Sequence, residues 1–419
     1  MNEGRRPGQG EWREGHAAMK AGQISRASEL FMEAATAGFA PAQFDLGRLL
    51  VFGLVEDADA AEGVEWLRRA EAEGHAPAIY QLATLAMGDR LVPYDAAQVL
   101  ARVRIAAESG HPRALTTLGV FYGEDRAAEV RALGTLCLEY AAMRGDEVGM
   151  ALLAFRLVRG RDVVANVPRA AAMLDLLTSR GLAVPTLAPS VPRANPAPSA
   201  LGQLPPLPAP RPGALDTTPG DGNELCVSPR IREYAQHISE EQCLSVLLAA
   251  TRYMKPSKTA DPEGRWVKVG LRTSDEALVD PLLEDVVLRQ VQRRMAATAG
   301  LPVSHAEPLI VLGYAAGQEY RPHSDCLPDS LVTPVEHGGS GQRVATVIAY
   351  LNASCTGGAT VFPRLDLRVP PGAGNVLCFS NLDAAGRPDP DAVHAGEPVT
   401  AGLKWVCTLW MRQGPHRPQ

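Results

Sequence analysis

The phrase GYAAGQEYRPHSD, residues 313–325, holds the residues best suited to metal chemistry. In an extended strand side chains alternate faces, so His323 and Asp325, two apart, are expected on one side. An imidazole and a carboxylate are a borderline–hard ligand pair. A second histidine would complete the facial arrangement that holds Fe(II) and leaves positions open for other ligands. That histidine is expected downstream on an adjacent strand. His394, in DAVHAGEPV and 71 residues beyond His323, is the candidate; His337 sits in a Gly-rich loop and His416 in the C-terminal tail. Lys404 follows ten residues after His394 and is read as opening the strand KWVCTLWMR. Alternation places Lys404, Val406, Thr408 and Trp410 on one face and Trp405, Cys407, Leu409 and Met411 on the other. A lysine on an otherwise apolar strand requires an anionic partner. A dicarboxylate that chelates the metal by one end would supply it with the other.

These residues need a rigid frame. From about Leu225 the pattern is two helices, one beginning near Ser239 (ISEEQCLSVLLAATRYM) and one near Leu282–Ala299. About eight short strands follow, including PLIVLGY, RVATVIAYLN, ATVF, NVLCFSN and KWVCTLWMR, separated by turn residues. This predicts a jelly roll, a double-stranded β-helix, backed by helices. Gly357 and Gly358 are expected to turn the chain before the strand that carries Thr360.

The N-terminal part follows a different rhythm. AATAGFAPAQFDLGRLL, AEAEGHAPAIYQLATLA, AAESGHPRALTTLGVFY and AAMRGDEVGMALLAFRL align on Gly38, Gly74, Gly110 and Gly145, and Gly181 keeps the beat at spacings of 36, 36, 35 and 36. Each glycine is expected to cap a helix in the left-handed conformation. A second helix then follows, with Ala at tight crossings (Ala42, Ala78, Ala114) and Leu one turn on (Leu46, Leu82, Leu118). Units of this period must stack to bury their apolar faces.

Between the two parts, residues 183–222 place proline every few positions and read as a semi-rigid, polyproline-like linker. The expected organisation is therefore a disordered N-terminus (1–10), a helical repeat array (11–182), a Pro-rich linker (183–224), the β domain (225–414) and a tail (415–419).

Composition narrows the function classes. The chain has 419 residues, 46% hydrophobic and 21% charged, with formal net charge −6, so neither nucleic acid nor an anionic membrane is an expected partner. No apolar run has the length of a signal peptide or a membrane helix. The seven cysteines are scattered and form no C-x-x-C pair, against a disulfide framework or zinc knuckle and for a reducing, cytoplasmic setting.

The matching motifs keep one order: S-x-E-x-C (239–243), L-R-T-S (271–274), Tyr314 with Gly317 and Tyr320, P-H-x-D (322–325), E-H-G-G and Q-R-V-A-T (336–346), G-G-A-T-V-F-P (357–363), N-L (381–382), H-A-G-x-P-V (394–399) and G-x-K-W (402–405). Residues 225 to about 413 thereby resemble the catalytic domain of prolyl 4-hydroxylases, and the array resembles Sel-one-like repeats, relatives of the tetratricopeptide repeat. The resemblance implies Fe(II) held by His323, Asp325 and His394, and 2-oxoglutarate held by Tyr314, Thr360 and Lys404. It implies Tyr320, Arg343 and Trp410 on the substrate side, O2 as oxidant and ascorbate as the reductant that restores oxidised iron. The implied partner is a protein or peptide substrate, recruited by the repeats, with succinate and CO2 as co-products.

One departure bears on the substrate. Peptidyl prolyl hydroxylases often carry a histidine two residues after the tryptophan that matches Trp410, and here that position is Arg412. The loop 326–342 occupies the place of a mobile lid in the family, with Ser340-Gly341 inserted. Two other readings stay open: the same chemistry on a free amino acid, another side chain or a small metabolite, and a non-catalytic repeat scaffold.

Overall fold

Glycine sets the spacing of the helices in the first half. In the computed structural model, which describes residues 6–182, 184, 203–260, 266–267 and 271–416, ten helices precede the β domain. They are α1 (Gln9–Lys20), α2 (Ile24–Thr36), α3 (Ala40–Val51), α4 (Ala60–Ala72), α5 (Ala76–Ala86), α6 (Ala96–Glu108), α7 (Pro112–Gly123), α8 (Ala128–Met143), α9 (Glu147–Arg159) and α10 (Val167–Ser179). Gly38, Gly74, Gly110, Gly145 and Gly181 follow α2, α4, α6, α8 and α10, each with φ between 73° and 83°. There glycine satisfies the last carbonyls of a helix without a Cβ clash. The next helix starts at once, and α3, α5 and α7 carry proline in the first turn, where no N–H is needed. From α1 to α8 each helix packs on the next. Ala42, Ala78, Ala114, Leu46, Leu82 and Leu118 are fully buried, so the expected crossing positions are the crossings.

Helix α1 begins inside the segment expected to be disordered; residues 1–5 of that segment lie outside the described residues. So do 183 and 185–202 of the linker and 417–419 of the tail. The described stretch 203–222 is irregular apart from a 3-10 turn at Pro212–Leu215.

The second half opens with β1 (Asn223–Cys226) and β2 (Ile231–Tyr234), so the last two residues of the expected linker belong to a strand. Helix α11 (Glu240–Ala250) starts at Ser239 with a capping box closed by Gln242. Helix α12 (Val286–Thr298) starts later than expected: Pro281–Leu283 forms a 3-10 turn, and the Asp285 side chain then caps α12 through Leu288 N–H. The remaining strands are β3 (Lys255–Pro256), β4 (Thr259–Ala260), β5 (Trp266–Val267), β6 (Asp275–Leu278), β7 (Ile310–Ala315), β8 (Tyr320–His323), β9 (Arg343–Tyr350), β10 (Cys355–Gly357), β11 (Thr360–Phe362), β12 (Leu367–Val369), β13 (Val376–Ser380), β14 (His394–Gly396) and β15 (Val399–Arg412). They outnumber the strands expected because several have only two or three residues, too few to show alternation.

The larger sheet runs β1-β2-β13-β9-β15-β7-β6-β3, with β10 also on β15; the smaller runs β12-β11-β14-β8; β4 and β5 form a separate pair. One core, around Leu247, Val291, Cys407, Leu409 and Met411, lies between the larger sheet and the two helices. A second, around Leu312, Tyr314, Ile348, Phe362 and Phe379, lies between the sheets. This is the double-stranded β-helix with supporting helices. Strand β15 serves both cores through its alternation. It also corrects the position of Lys404, which lies mid-strand because β15 extends back to Val399.

The chain divides into two compact units. Described residues 6–149 with 203–214 form the first, and described residues from 150 to 184 with 215–416 form the second. No helix among the described residues is long and apolar enough to cross a membrane.

Candidate active site

Strand pairing closes the distance that separates the two histidines in sequence. His394 on β14 sits directly opposite His323 on β8 in the antiparallel register. Strand β8 ends at His323, so Asp325 lies beyond it and not on the expected strand face. Its carboxylate still reaches both rings: His323 Nε2 is 3.6 Å from Oδ1 and His394 Nε2 is 3.6 Å from Oδ2. Ligand atoms of the three residues all fall within 4.8 Å of one another.

Hydrogen bonds fix how each group presents itself. His323 Nδ1 is 2.8 Å from the Arg321 carbonyl and His394 Nδ1 is 3.1 Å from the Ala392 carbonyl. A carbonyl only accepts, so each Nδ1 carries a proton and each Nε2 is the ring atom turned toward the carboxylate. Burial, reinforced by His394, lowers His323 to about 3, which keeps it neutral. Burial acts to raise Asp325, but the imidazoles, Arg343 and the Thr346 hydroxyl outweigh it and hold it at about 2. Two imidazoles and one carboxylate fit a divalent metal of the first transition row.

The carboxylate is itself held. Thr346 Oγ1 on β9 donates to Asp325 Oδ2 at 2.7 Å and accepts from Asn381 Nδ2 at 3.0 Å. Both residues are buried, at 0% and 2% exposure. Arg343 Nη1 donates to the Asp325 carbonyl at 3.3 Å. Around the histidines, the Tyr320 ring stacks on His323 at 3.4 Å between centroids and Phe379 meets His394 edge-on at 4.6 Å.

A cavity runs from this cluster between the sheets, lined by Tyr314, Thr360 and Lys404 with apolar Leu312, Ile348 and Val406. Lys404 is paired across strands with Tyr314, and its Nζ lies 5.3 Å from that ring and 5.9 Å from the Tyr350 ring. It is 4% exposed, and among the described residues it makes no ion pair. Burial pulls its ammonium down to about 8. Thr360 Oγ1 accepts from Tyr350 Oη at 2.8 Å. Gly357 and Gly358, both in the left-handed region, make the expected turn before β11.

Tyr320 and Trp410 also line the cavity. Arg343 does not reach it: its guanidinium lies 3.8 Å from the centre of the Trp410 ring and pairs with both oxygens of Glu307 at 2.7 Å. Arg412 shares that carboxylate, Nη1 to Oε1 at 2.9 Å. The two buried guanidiniums hold Glu307 below its ordinary value against the opposing effect of burial.

Reading the sequence gave no role to Arg272, Glu307, Thr346, Tyr350 or Asn381. Arg272, 5% exposed, lines the cavity, pairs with Glu276 and lies 5.2 Å from the Tyr320 ring. Arg272, Thr346 and Asn381 stand inside motifs that the sequence displays. Glu307 stands in none.

The model of the 2OG-Fe(II) oxygenase superfamily matches residues 309–412. The chain is 32% identical over 213 residues to probable prolyl 4-hydroxylase 3 of Arabidopsis thaliana, which covers 46% of this chain and 72% of that protein. It is 33% identical over 186 residues to prolyl 4-hydroxylase subunit alpha-1 of Rattus norvegicus, covering 44% and 35% of the two chains. Among solved structures, it is similar to the viral collagen prolyl hydroxylase of Paramecium Bursaria Chlorella virus-1, at 23% identity and TM-score 0.35 over 43% of this chain and 95% of that one. It is also similar to a Sel1 repeat protein from Oxalobacter formigenes, at 22% identity and TM-score 0.35 over 43% and 74%.

Proposed function

The chain belongs to the prolyl 4-hydroxylase family of 2-oxoglutarate-dependent dioxygenases, and on that premise we propose that it hydroxylates a prolyl residue of a protein or peptide. The observation that carries the proposal is the joining of two features in one cavity: the His323–Asp325–His394 cluster and the buried ammonium of Lys404, which makes no ion pair among the described residues.

His323 and His394 through Nε2, with Asp325 through its carboxylate, would hold Fe(II). Bound with 2-oxoglutarate and O2, the iron supplies the oxidising power: one oxygen atom enters a C–H bond of the substrate, the other enters succinate, and CO2 leaves. Lys404 receives the distal carboxylate of 2-oxoglutarate, which supplies the negative charge its burial demands. Tyr314 and Thr360 flank that carboxylate, and Tyr350 fixes the Thr360 hydroxyl. Leu312, Ile348 and Val406 keep water from the co-substrate. Tyr320 and Trp410 border the substrate, while Arg343 acts from behind Trp410. Ascorbate restores the iron after turnovers that miss the substrate, and the repeat array recruits the polypeptide.

Arg412 favours a second reading. Its ion pair to Glu307, where peptidyl hydroxylases often have histidine, leaves room for a free amino acid or another side chain as the target. One experiment separates the readings: the protein is loaded with Fe(II), 2-oxoglutarate and ascorbate and offered proline-containing peptides beside a free-amino-acid panel. Succinate formation with oxygen added to peptidyl proline supports the first; oxygen added only to a free amino acid sinks it. A His323→Ala protein that turns over undiminished would overturn the ligand assignment.

A further inference from the structure

The proline-rich stretch after residue 202 does not trail away from the helices. Residues 203–211, QLPPLPAPR, form no helix or strand, yet their burial has a period of three. Leu204 and its neighbour Pro205 are half-buried and Leu207 and Pro210 are buried, while Gln203, Pro206, Pro208, Ala209 and Arg211 are exposed. Three residues per turn is the period of a polyproline II helix, which presents one edge to a surface and makes no internal hydrogen bonds.

The polar groups of this segment find partners at the end of α7, within the same compact unit. Tyr122, 1% exposed in the last turn of α7, donates its hydroxyl to the Pro208 carbonyl. Arg211 donates Nη2 to the Glu124 carbonyl at 2.7 Å and pairs Nε with Asp125 Oδ2 at 2.7 Å. The other oxygen of Asp125 accepts from Ala127 N–H at 2.9 Å, so the carboxylate is oriented by the turn itself. A helix C-terminus adds partial negative charge at the same place.

We propose that the end of α7 and the turn into α8 form a recognition site for extended, proline-rich polypeptide. The chain's own residues 203–211 occupy it, and a peptide of the same L-x-x-L-x-x-P-R spacing competes for it from outside. A carbonyl-seeking tyrosine, a surface matched to every third side chain and an oriented acid for a following arginine are what such a ligand requires, and its pre-extended backbone lowers the entropy cost of binding. The site lies apart from the hydroxylation chemistry and stands or falls separately from it.

The test uses the full-length protein and a fluorescein-labelled synthetic QLPPLPAPR peptide. A tethered segment competes at an effective concentration of order millimolar, so the native protein should bind the peptide weakly. A Leu207→Asp, Arg211→Glu double variant should bind it at least roughly tenfold more tightly once the tethered copy is weakened. Adding Asp125→Asn should reverse the gain, and a peptide with the same residues scrambled should not bind. An opened variant with an unchanged melting curve that binds no better than native protein would overturn the proposal, as would binding indifferent to Asp125→Asn. Should the double variant misfold, the single Arg211→Glu variant decides: it must bind the peptide more tightly than native protein, and equal binding refutes the site.

Discussion

Asp325 is held in place by a hydroxyl from the other sheet, and that hydroxyl carries a prediction. Thr346→Val keeps the volume but removes the donor to Oδ2, so Co(II) or Fe(II) affinity measured by calorimetry should fall about 10- to 100-fold. Thr346→Ser should retain most of it, and equal losses in the two variants would show that packing, not the hydrogen bond, matters. Lys404 carries a second. Its ammonium, lowered by burial to about 8, must be protonated to bind a dicarboxylate. Affinity for 2-oxoglutarate should therefore be flat below that pH and weaken by roughly tenfold per unit above it, because binding then takes up a proton. Titration calorimetry in buffers of different ionisation enthalpy measures that uptake directly. At this scale the cluster and the buried lysine were legible because H-x-D, His394 and Lys404 are chemically conspicuous. Thr346, Asn381 and Tyr350 carry no conspicuous pattern, and only the packing of the larger sheet against the smaller brings Thr346 to Asp325 and Tyr350 to Thr360.

Strand β15 shows what a sequence conveys about an element and what it hides. Its alternation predicted both faces correctly, from Lys404 to Trp410 toward the cavity and from Trp405 to Met411 toward the helices. Its start was missed because Thr400, Ala401 and Gly402 break the apolar rhythm, while Val399, Ala401 and Gly402 still pair with β10. The glycine beat of the array was fully readable, since each position demands a positive φ. The same demand makes Gly358 informative. With φ +68°, an added Cβ would lie 3.0 Å from Lys404 Cδ and 3.1 Å from Val399 Cγ2. Gly358→Ala should destabilise the protein by about 1–2 kcal/mol through the left-handed backbone and weaken 2-oxoglutarate binding by displacing Lys404. A normal melting temperature with normal affinity would contradict both.

Across the whole molecule, the end of the repeat sequence is not the boundary between the compact units. The repeat period runs to Gly181, yet from Met150 onward the helices belong to the second unit. Arg156 on α9, wholly buried, pairs with both oxygens of Glu241 on α11 at 2.7 and 2.8 Å. Composition and period carry no trace of this, because the partners stand 85 residues apart. Arg156→Met strands a buried carboxylate and should lower stability by about 3–5 kcal/mol in urea melts. Adding Glu241→Leu should recover much of that, and a double variant as weak as the single one would refute the pairing. The same ion pair constrains how such a protein can be inherited in pieces. A recombination that joined a foreign array at residue 183 would deliver Glu241 without its arginine, so lineages that exchange their repeats should break the gene upstream of α9 and pass the last helix pair on with the oxygenase.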